Sequence, residues 1–444
     1  KIQIHNHDFC SVNGHSFYFC DGWIYFSEQM PVSTGLFAEV VHTAKNHMTY
    51  PVFIRSVRQM YEMPSEKIEV LPPKEFTGNP GKNLVMTIMP VMVSMMFMMV
   101  MRLFMGRSAI YAVYSAGMML VSGVMAVWNY KHQGKEYLLR MKNRVEKYNQ
   151  YIAGSEEKII RLREKEQRIA RQKCPSLAEQ LSFVIDFDAR LFERRPEVVD
   201  FLSCYMGTGK VGAENQVDFK KQEYVDVEDP LMDYPEMIHD KYRYAENMPV
   251  MLELKDKSAV GIVGERGRLY QMLKNLMMTL SISHYFNEVK FSLFIHEEDI
   301  PYFQWVRWLQ NVNNEGLERR NIGCDEKSSG QLLEYLYTEL SAREGRKGFD
   351  AHHVVFAYRD SGLGDHPINK YFKQAKELGF TFLFFEEYPE FLNKACEARV
   401  FLSSGNFTGY IQDAKNGEDI RHFSYPHITA KEAEEAALKM SCVY

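Results

Sequence analysis

"VGIVGERGRLYQMLKNLMMTL", residues 260–280, carries an apolar run into a glycine-bearing turn and then into an amphipathic helical pattern. Strand, turn and helix in that order are the frame of a phosphate-binding loop. That chemistry needs glycines, so that backbone N–H groups close on the phosphates. It needs Lys to reach the β/γ oxygens and a Ser/Thr hydroxyl to hold magnesium. Aligning Gly267 with the glycine before the lysine puts Ile262 at the first glycine, Arg268 at the lysine and Leu269 at the hydroxyl. Leucine cannot bind Mg²⁺, and arginine pairs with phosphate in a different shape and reach. Gly264, Arg266, Gly267 and Arg268 are therefore the candidate contacts of a degenerate nucleotide or anion site, and no catalytic residue is assigned. An active ATPase through residues 261–269 is the alternative. The acidic residue such a site also needs has candidates in Asp360, which comes late after its strand, and in Glu386 and Glu387.

Outward from this stretch the same alternation continues. Apolar strands are expected at 259–264, 289–295, 352–358, 380–385, 397–404 and 408–413, with helical stretches between the first four. Continuous apolar strands separated by helices predict a mostly parallel sheet covered on both faces. Residues 174–444 thus read as an α/β, RecA-like domain. In such sheets ligands bind beyond the carboxyl ends of the strands, where residues 264–268 fall. His352 and His353 open a strand, and "YFQWVRW" (302–308) has helical spacing. Both read as packing residues.

The chain has 444 residues, 46% hydrophobic and 25% charged, and a net charge of −5. It has no basic excess that would point to nucleic acid. Its seven cysteines are dispersed without CxxC or CxxH spacing, which argues against a zinc site and a disulfide framework and for a reducing compartment. No metal ligand set is assigned. The chain opens "KIQIHNHDF", without a signal peptide or an initiating Met, as a piece of a longer protein would.

Two apolar runs near the length of a bilayer span, 83–101 and 109–128, predict a transmembrane helical hairpin within 83–128. Pro90 and the small residues Gly117, Gly123, Ser115 and Ser122 are compatible with membrane packing. Flanking Lys74, Lys82, Lys131, Lys135 and Arg140 place both ends in the cytoplasm of a multi-pass membrane protein. Residues 1–65 read as a small β-rich piece, with turn signals at 12–16 and 20–23. Residues 66–82 read as a Pro/Gly linker, and 129–173 as a helical stalk. The stalk carries a heptad with Leu138, Val145, Ile152, Ile159 and Glu166 at a and Met141, Tyr148, Ser155, Leu162 and Ile169 at d. That stripe is either a coiled-coil seam or the inner face of a helix packed on its own domain.

The order of these parts resembles the membrane-bound FtsK/SpoIIIE-type ATPases of type VII secretion systems, the EssC/YukB/EccC family. The resemblance is sharpest at "LFERRPEVVDFLSCYMGTGKV" (191–211). There Glu193, Arg194, Arg195, Pro196, Asp200, Phe201, Leu202, Gly207 and Gly209 stand at the family's positions. The basic residue expected before the glycine pair is replaced by Tyr205-Met206. Arg55 and Arg58 resemble the family's R-x-x-R segment before the membrane. The resemblance implies that residues 1–30 end a forkhead-associated domain and that further ATPase domains follow Tyr444. It implies a membrane-anchoring and regulatory part of a secretion motor that exports small helical WXG-type proteins. ATP and Mg would be used by the later domains, with none in this chain. The implied partners are the lipid bilayer, other secretion-system membrane components, the secreted substrates and further copies of the chain, and no nucleic acid. A membrane adaptor without motor activity is the remaining alternative.

Overall fold

A computed structural model describes residues 9–12, 15–20, 23–26, 53–74, 84–104, 109–220, 229–314, 319–346, 348–359, 362–414 and 420–443. In chain order the N-terminal strands are β1 (Phe9–Val12), β2 (His15–Cys20), β3 (Trp23–Phe26) and β4 (Ile68–Val70). Helices α1 (Leu84–Phe104), α2 (Ala109–Lys173) and α3 (Leu177–Asp186) follow. Then come β5 (Ser203–Gly212), β6 (Val217–Phe219), α4 (Tyr234–Tyr242), β7 (Tyr244–Glu253), β8 (Ala259–Val263), α5 (Arg266–Ser283) and β9 (Val289–Phe294). After α6 (Ile300–Phe303) come the short strands β10 (Asn313–Asn314), β11 (Arg319–Arg320) and β12 (Ile322–Gly323), then α7 (Glu326–Arg343). The chain continues through β13 (His352–Tyr358), β14 (Phe380–Glu386), β15 (Ala398–Leu402), β16 (Thr408–Asp413), β17 (Ile420–Ser424) and α8 (Ala430–Met440). Two compact units result: one of residues 1–63, 167–211 and 245–444, the other of residues 64–166 and 212–244.

The larger unit is built on a sheet of ten strands in the order β12-β9-β13-β14-β8-β15-β16-β17-β5-β7. Strands β12 to β15 of that order pair in parallel, and β15, β16, β17 and β5 pair antiparallel. The expected α/β architecture with a mostly parallel core is therefore present. Side chains alternate across it, as the pleat requires. Val354, Phe356 and Tyr358 belong to the core that α3, α5 and α8 complete, while Val355 and Ala357 belong to the core under α7. Helix α5 is buried at nearly every position from Leu269 onward. Capping boxes fix the starts of α3 (Ser176/Glu179) and α8 (Thr429/Glu432). The edge strand β7 carries Pro249 and a left-handed Asn247 (φ 53°), two devices that blunt an open sheet edge. At the N-terminus β1, β2 and β3 form an antiparallel meander. The predicted turns and the rest of the 1–65 piece up to residue 52 fall outside the described residues.

In the smaller unit β4 and β6 pair in parallel beside α4. Tyr148, Ile152, Ile159, Val70, Val217, Leu231 and Ile238 form its core. The heptad stripe from Tyr148 to Glu166 is thus covered by the unit's own elements, and α2 runs through Gly154-Ser155 unbroken. Glu166 is fully buried, ion-paired to Arg163 at 2.6 Å, and accepts the Glu214 N–H at 2.6 Å.

The expected transmembrane hairpin is corrected. Among the described residues no helix is long and apolar enough to cross a membrane. The second run opens a 65-residue helix whose later turns are rich in charge. Among the described residues there is thus no span for the multi-pass topology, or for the orientation drawn from flanking lysines, to act on.

Candidate functional site

Strand β8 delivers the chain to the carboxyl edge of the parallel strands. Only Gly264 and Glu265 separate it from α5. A loop that folds its N–H groups around phosphate needs more chain than this. Here the helix is already under way at Gly267. The N–H groups of Arg268 and Leu269 donate to the Glu265 carbonyl at 2.8 and 2.9 Å. Gly264 answers to packing: its N–H donates to the Glu386 carbonyl at 3.2 Å, and a Cβ there would lie 2.9 Å from Leu402 Cβ. Gly267, by contrast, faces open space.

The two arginines of the loop have different partners, and both are engaged. Arg266 pairs with Asp299 at 2.5 Å and Glu298 at 3.2 Å, and Arg359 joins Glu298 at 2.8 Å. The Arg359 hydrogen bond and the Arg266 charge hold the Glu298 carboxyl below its ordinary range. The Arg268 guanidinium lies 4.2 Å over the Phe407 ring and donates to the carbonyls of Ser404 and Gly405 at 3.2 and 3.4 Å. Leu269 is fully buried, so the position that should present a magnesium ligand points into the core. Glu386 ends β14 with Glu387 beside it, and Asp360 lies outside the described residues. These residues do not fit a magnesium nucleotide. The turn is too short, the hydroxyl position is interior, and the nearby cations are already engaged, Arg266 by acids and Arg268 by a ring and two carbonyls.

The second constellation is buried. Arg58, whose side chain is 1% exposed, pairs with Glu193 and Asp200, each at 2.5 Å. Its Nη2 also donates to the Lys173 carbonyl at a short distance. Arg194 reaches Asp200 at 3.4 Å and donates to the Ser203 carbonyl. Arg190 also reaches Glu193 at 3.3 Å, so three guanidiniums meet two carboxylates and each buried carboxylate is paired. Burial pushes the Asp200 carboxyl up, but Arg194 and Arg58 overcome it and hold it below the usual range. Arg55 grips Glu288 in a two-pronged pair, one prong at 2.8 Å, and reaches the Phe192 carbonyl. The R-x-x-R segment and the E-R-R-P…D segment, more than a hundred residues apart, are therefore two halves of one network. Arg195 and Pro196 lie in the turn after it.

Gly207 and Gly209 sit in β5 where β17 crosses at closest approach, Phe423 opposite Gly209 and Ser424 opposite Thr208. A Cβ on Gly207 would overlap the Ser424 carbonyl, and one on Gly209 the His422 carbonyl. Gly207 also takes a φ of 152°. The glycine pair serves strand packing.

Beside the network, His284 accepts the Leu202 N–H at Nε2 (3.0 Å), while its Nδ1 lies 3.0 Å from the Leu280 carbonyl. The ring is thus neutral with its proton on Nδ1. Burial, aided by the Arg194 charge, pushes its pKa down to about 3, and burial does the same to His352. Sequence reading missed Glu288, Glu298, Asp299, Phe407 and His284. Each is tens of residues or more from its partner in the chain, and no local pattern marks it.

No protein-family model matches the chain. It is similar to the ESX secretion system protein EccC of Geobacillus thermodenitrificans, 25% identical over 387 residues, 85% of this chain and 25% of that protein. It is also similar to the ESX secretion system protein YukB of Bacillus subtilis, 22% identical over 81% of this chain and 24% of that protein. The type VII secretion system protein EssC of Staphylococcus aureus is 23% identical over 80% of this chain and 25% of that protein. Among solved structures, EssC (ATPases 2 and 3) from Geobacillus thermodenitrificans matches with a TM-score of 0.38 and 10% identity, over 56% of this chain and 50% of that one. The resemblance to type VII secretion proteins thus holds over about four-fifths of the chain, which spans about a quarter of the length of these curated relatives.

Proposed function

We propose that this chain is a regulatory part of a type VII protein secretion motor, with ATP hydrolysis carried by domains outside these residues. The observation that carries the reading is the similarity to EccC, YukB and EssC along about four-fifths of the chain. The buried network supports it, because it unites the segments that carry the resemblance. The strand–turn–helix junction at Gly264–Leu269 supports a domain that relays rather than hydrolyses, since its arginines are engaged and its magnesium position is interior.

Under this reading the whole protein exports small helical WXG-type proteins using ATP and Mg in its later domains. Its partners are other components of the secretion system and further copies of itself. The test has two arms. In a bacterium that encodes the protein, deletion of its gene is expected to abolish export of such substrates; unchanged export sinks the secretion reading. The purified chain is expected to show no magnesium-dependent ATP turnover. Turnover that disappears in Arg268→Ala would instead place an active site at residues 261–269.

A further inference from the structure

The carboxyl edge that excludes a nucleotide presents something else. The turn after β14 exposes two aromatic rings, Tyr388 at 58% and Phe391 at 69%, packed edge to face with centroids 5.9 Å apart. The turn beneath them is firmly seated. Leu392 is buried over β8 at Gly261, where a Cβ would come within 2.5 Å of the leucine. The rings are therefore a built ledge on a rigid element.

The charge around the ledge identifies its occupant. Arg359 links Glu387 (3.8 Å) to Glu298 and Asp299, and Arg266 is taken by the same two acids. Glu265 and Glu390 are exposed and have no ion partner among the described residues. Along this edge Glu265, Glu298, Asp299, Glu386, Glu387 and Glu390 stand with Arg266, Arg268, Arg359 and Lys394, a local excess of two negative charges. A phosphate or another acidic ligand is repelled here. A cationic segment is drawn in and meets an aromatic anchor at the centre of a charged rim, the usual anatomy of a protein contact.

We infer that this ledge docks a protein segment in which arginine or lysine alternates with apolar residues. The inference stands apart from the secretion reading, since it uses only the geometry of this edge. The test titrates the full chain with a fluorescein-labelled decapeptide of alternating Arg and Leu, read by anisotropy at about 0.15 M salt. Glu387→Lys/Glu390→Lys is expected to weaken binding about tenfold or more, and Phe391→Ser by a similar factor. All three positions are exposed, so melting temperatures serve as the folding control. Absence of binding to the wild-type chain, or binding that both variants leave intact, overturns the docking site. Loss in the charge variant alone overturns the aromatic anchor.

Discussion

Arginine does opposite things in two regions of the larger unit. At the carboxyl edge, Arg266 and Arg268 occupy the places where a nucleotide site would keep its cations, yet both lie on the surface and answer to neighbouring side chains and carbonyls. At the Glu193–Asp200 segment, Arg58 and Arg194 are interior and hold distant parts of the chain together. The first region keeps the shape of a ligand site without its chemistry. The second is an interior tie between segments, yet it carries the resemblance to the secretion proteins. What distinguishes this chain is thus how it is tied together as well as what its best-shaped loop could bind.

The largest expected effect tests that contrast directly. Arg58→Ala leaves Glu193 and Asp200 buried without their shared partner. The cost for a broken buried pair is about 3–5 kcal/mol, read as a shift in the denaturant midpoint. Arg266→Ala removes a surface partner shared by exposed Glu298 and buried Asp299, and because Asp299 keeps Arg359 at 3.6 Å its midpoint is expected to shift less than that of Arg58→Ala. Equal shifts in the two variants would erase the distinction between the regions.

The magnesium position comes next. Leu269→Ala opens a cavity under α5 and is expected to cost about 2–5 kcal/mol. Leu269→Thr restores the missing hydroxyl in name only. It too is expected to destabilise, and calorimetry with Mg-ATP should show no gain in affinity, because the side chain points into the core.

Acid separates the regions a third way. His284 and His352 are held neutral, with folded pKa values of about 3 against about 6.5 unfolded. The unfolded chain therefore binds more protons between those values. The stabilisation is present above about pH 6.5 and is lost as pH falls below it, by about 2 kcal/mol per histidine at pH 5. The slope of unfolding free energy between pH 6.5 and 5 should fall by close to one proton in His284→Phe. An unchanged slope would show that this ring is not held neutral.

How much of this was legible beforehand follows the range of the interactions. The parallel core could be read because each strand carries its own apolar run. The failed loop could be read because Arg268 and Leu269 stand in sequence at the positions they deny. The helical stripe from Tyr148 to Glu166 was visible, but whether a second copy or its own unit covers it depends on β4, β6 and α4, which come from either side of α2 in the chain. The hairpin was overread: an apolar run shows composition, whereas among the described residues no helix is both long and apolar enough to span. The pairing of Arg58 with Glu193 and Asp200 could not be read at all. Charges 135 and 142 residues apart leave no pattern in sequence, although each half stood out separately.

The smallest expected effect has the opposite sign and concerns glycine. Gly209 lies against the backbone of β17, and Gly209→Ala should destabilise by about 1–3 kcal/mol through overpacking. Gly267 lies in the first turn of α5, with nothing within 4 Å of a built Cβ and no positive φ. A phosphate loop would need this glycine bare so that the backbone could reach its ligand. A plain helix is better served by alanine, which has the higher propensity by up to about 1 kcal/mol. Gly267→Ala is therefore expected to raise the denaturant midpoint slightly while leaving secretion in the whole protein intact. A stabilised but secretion-dead variant would mean that the backbone at Gly267 meets a ligand after all, and the contrast between the two regions would have to be redrawn there.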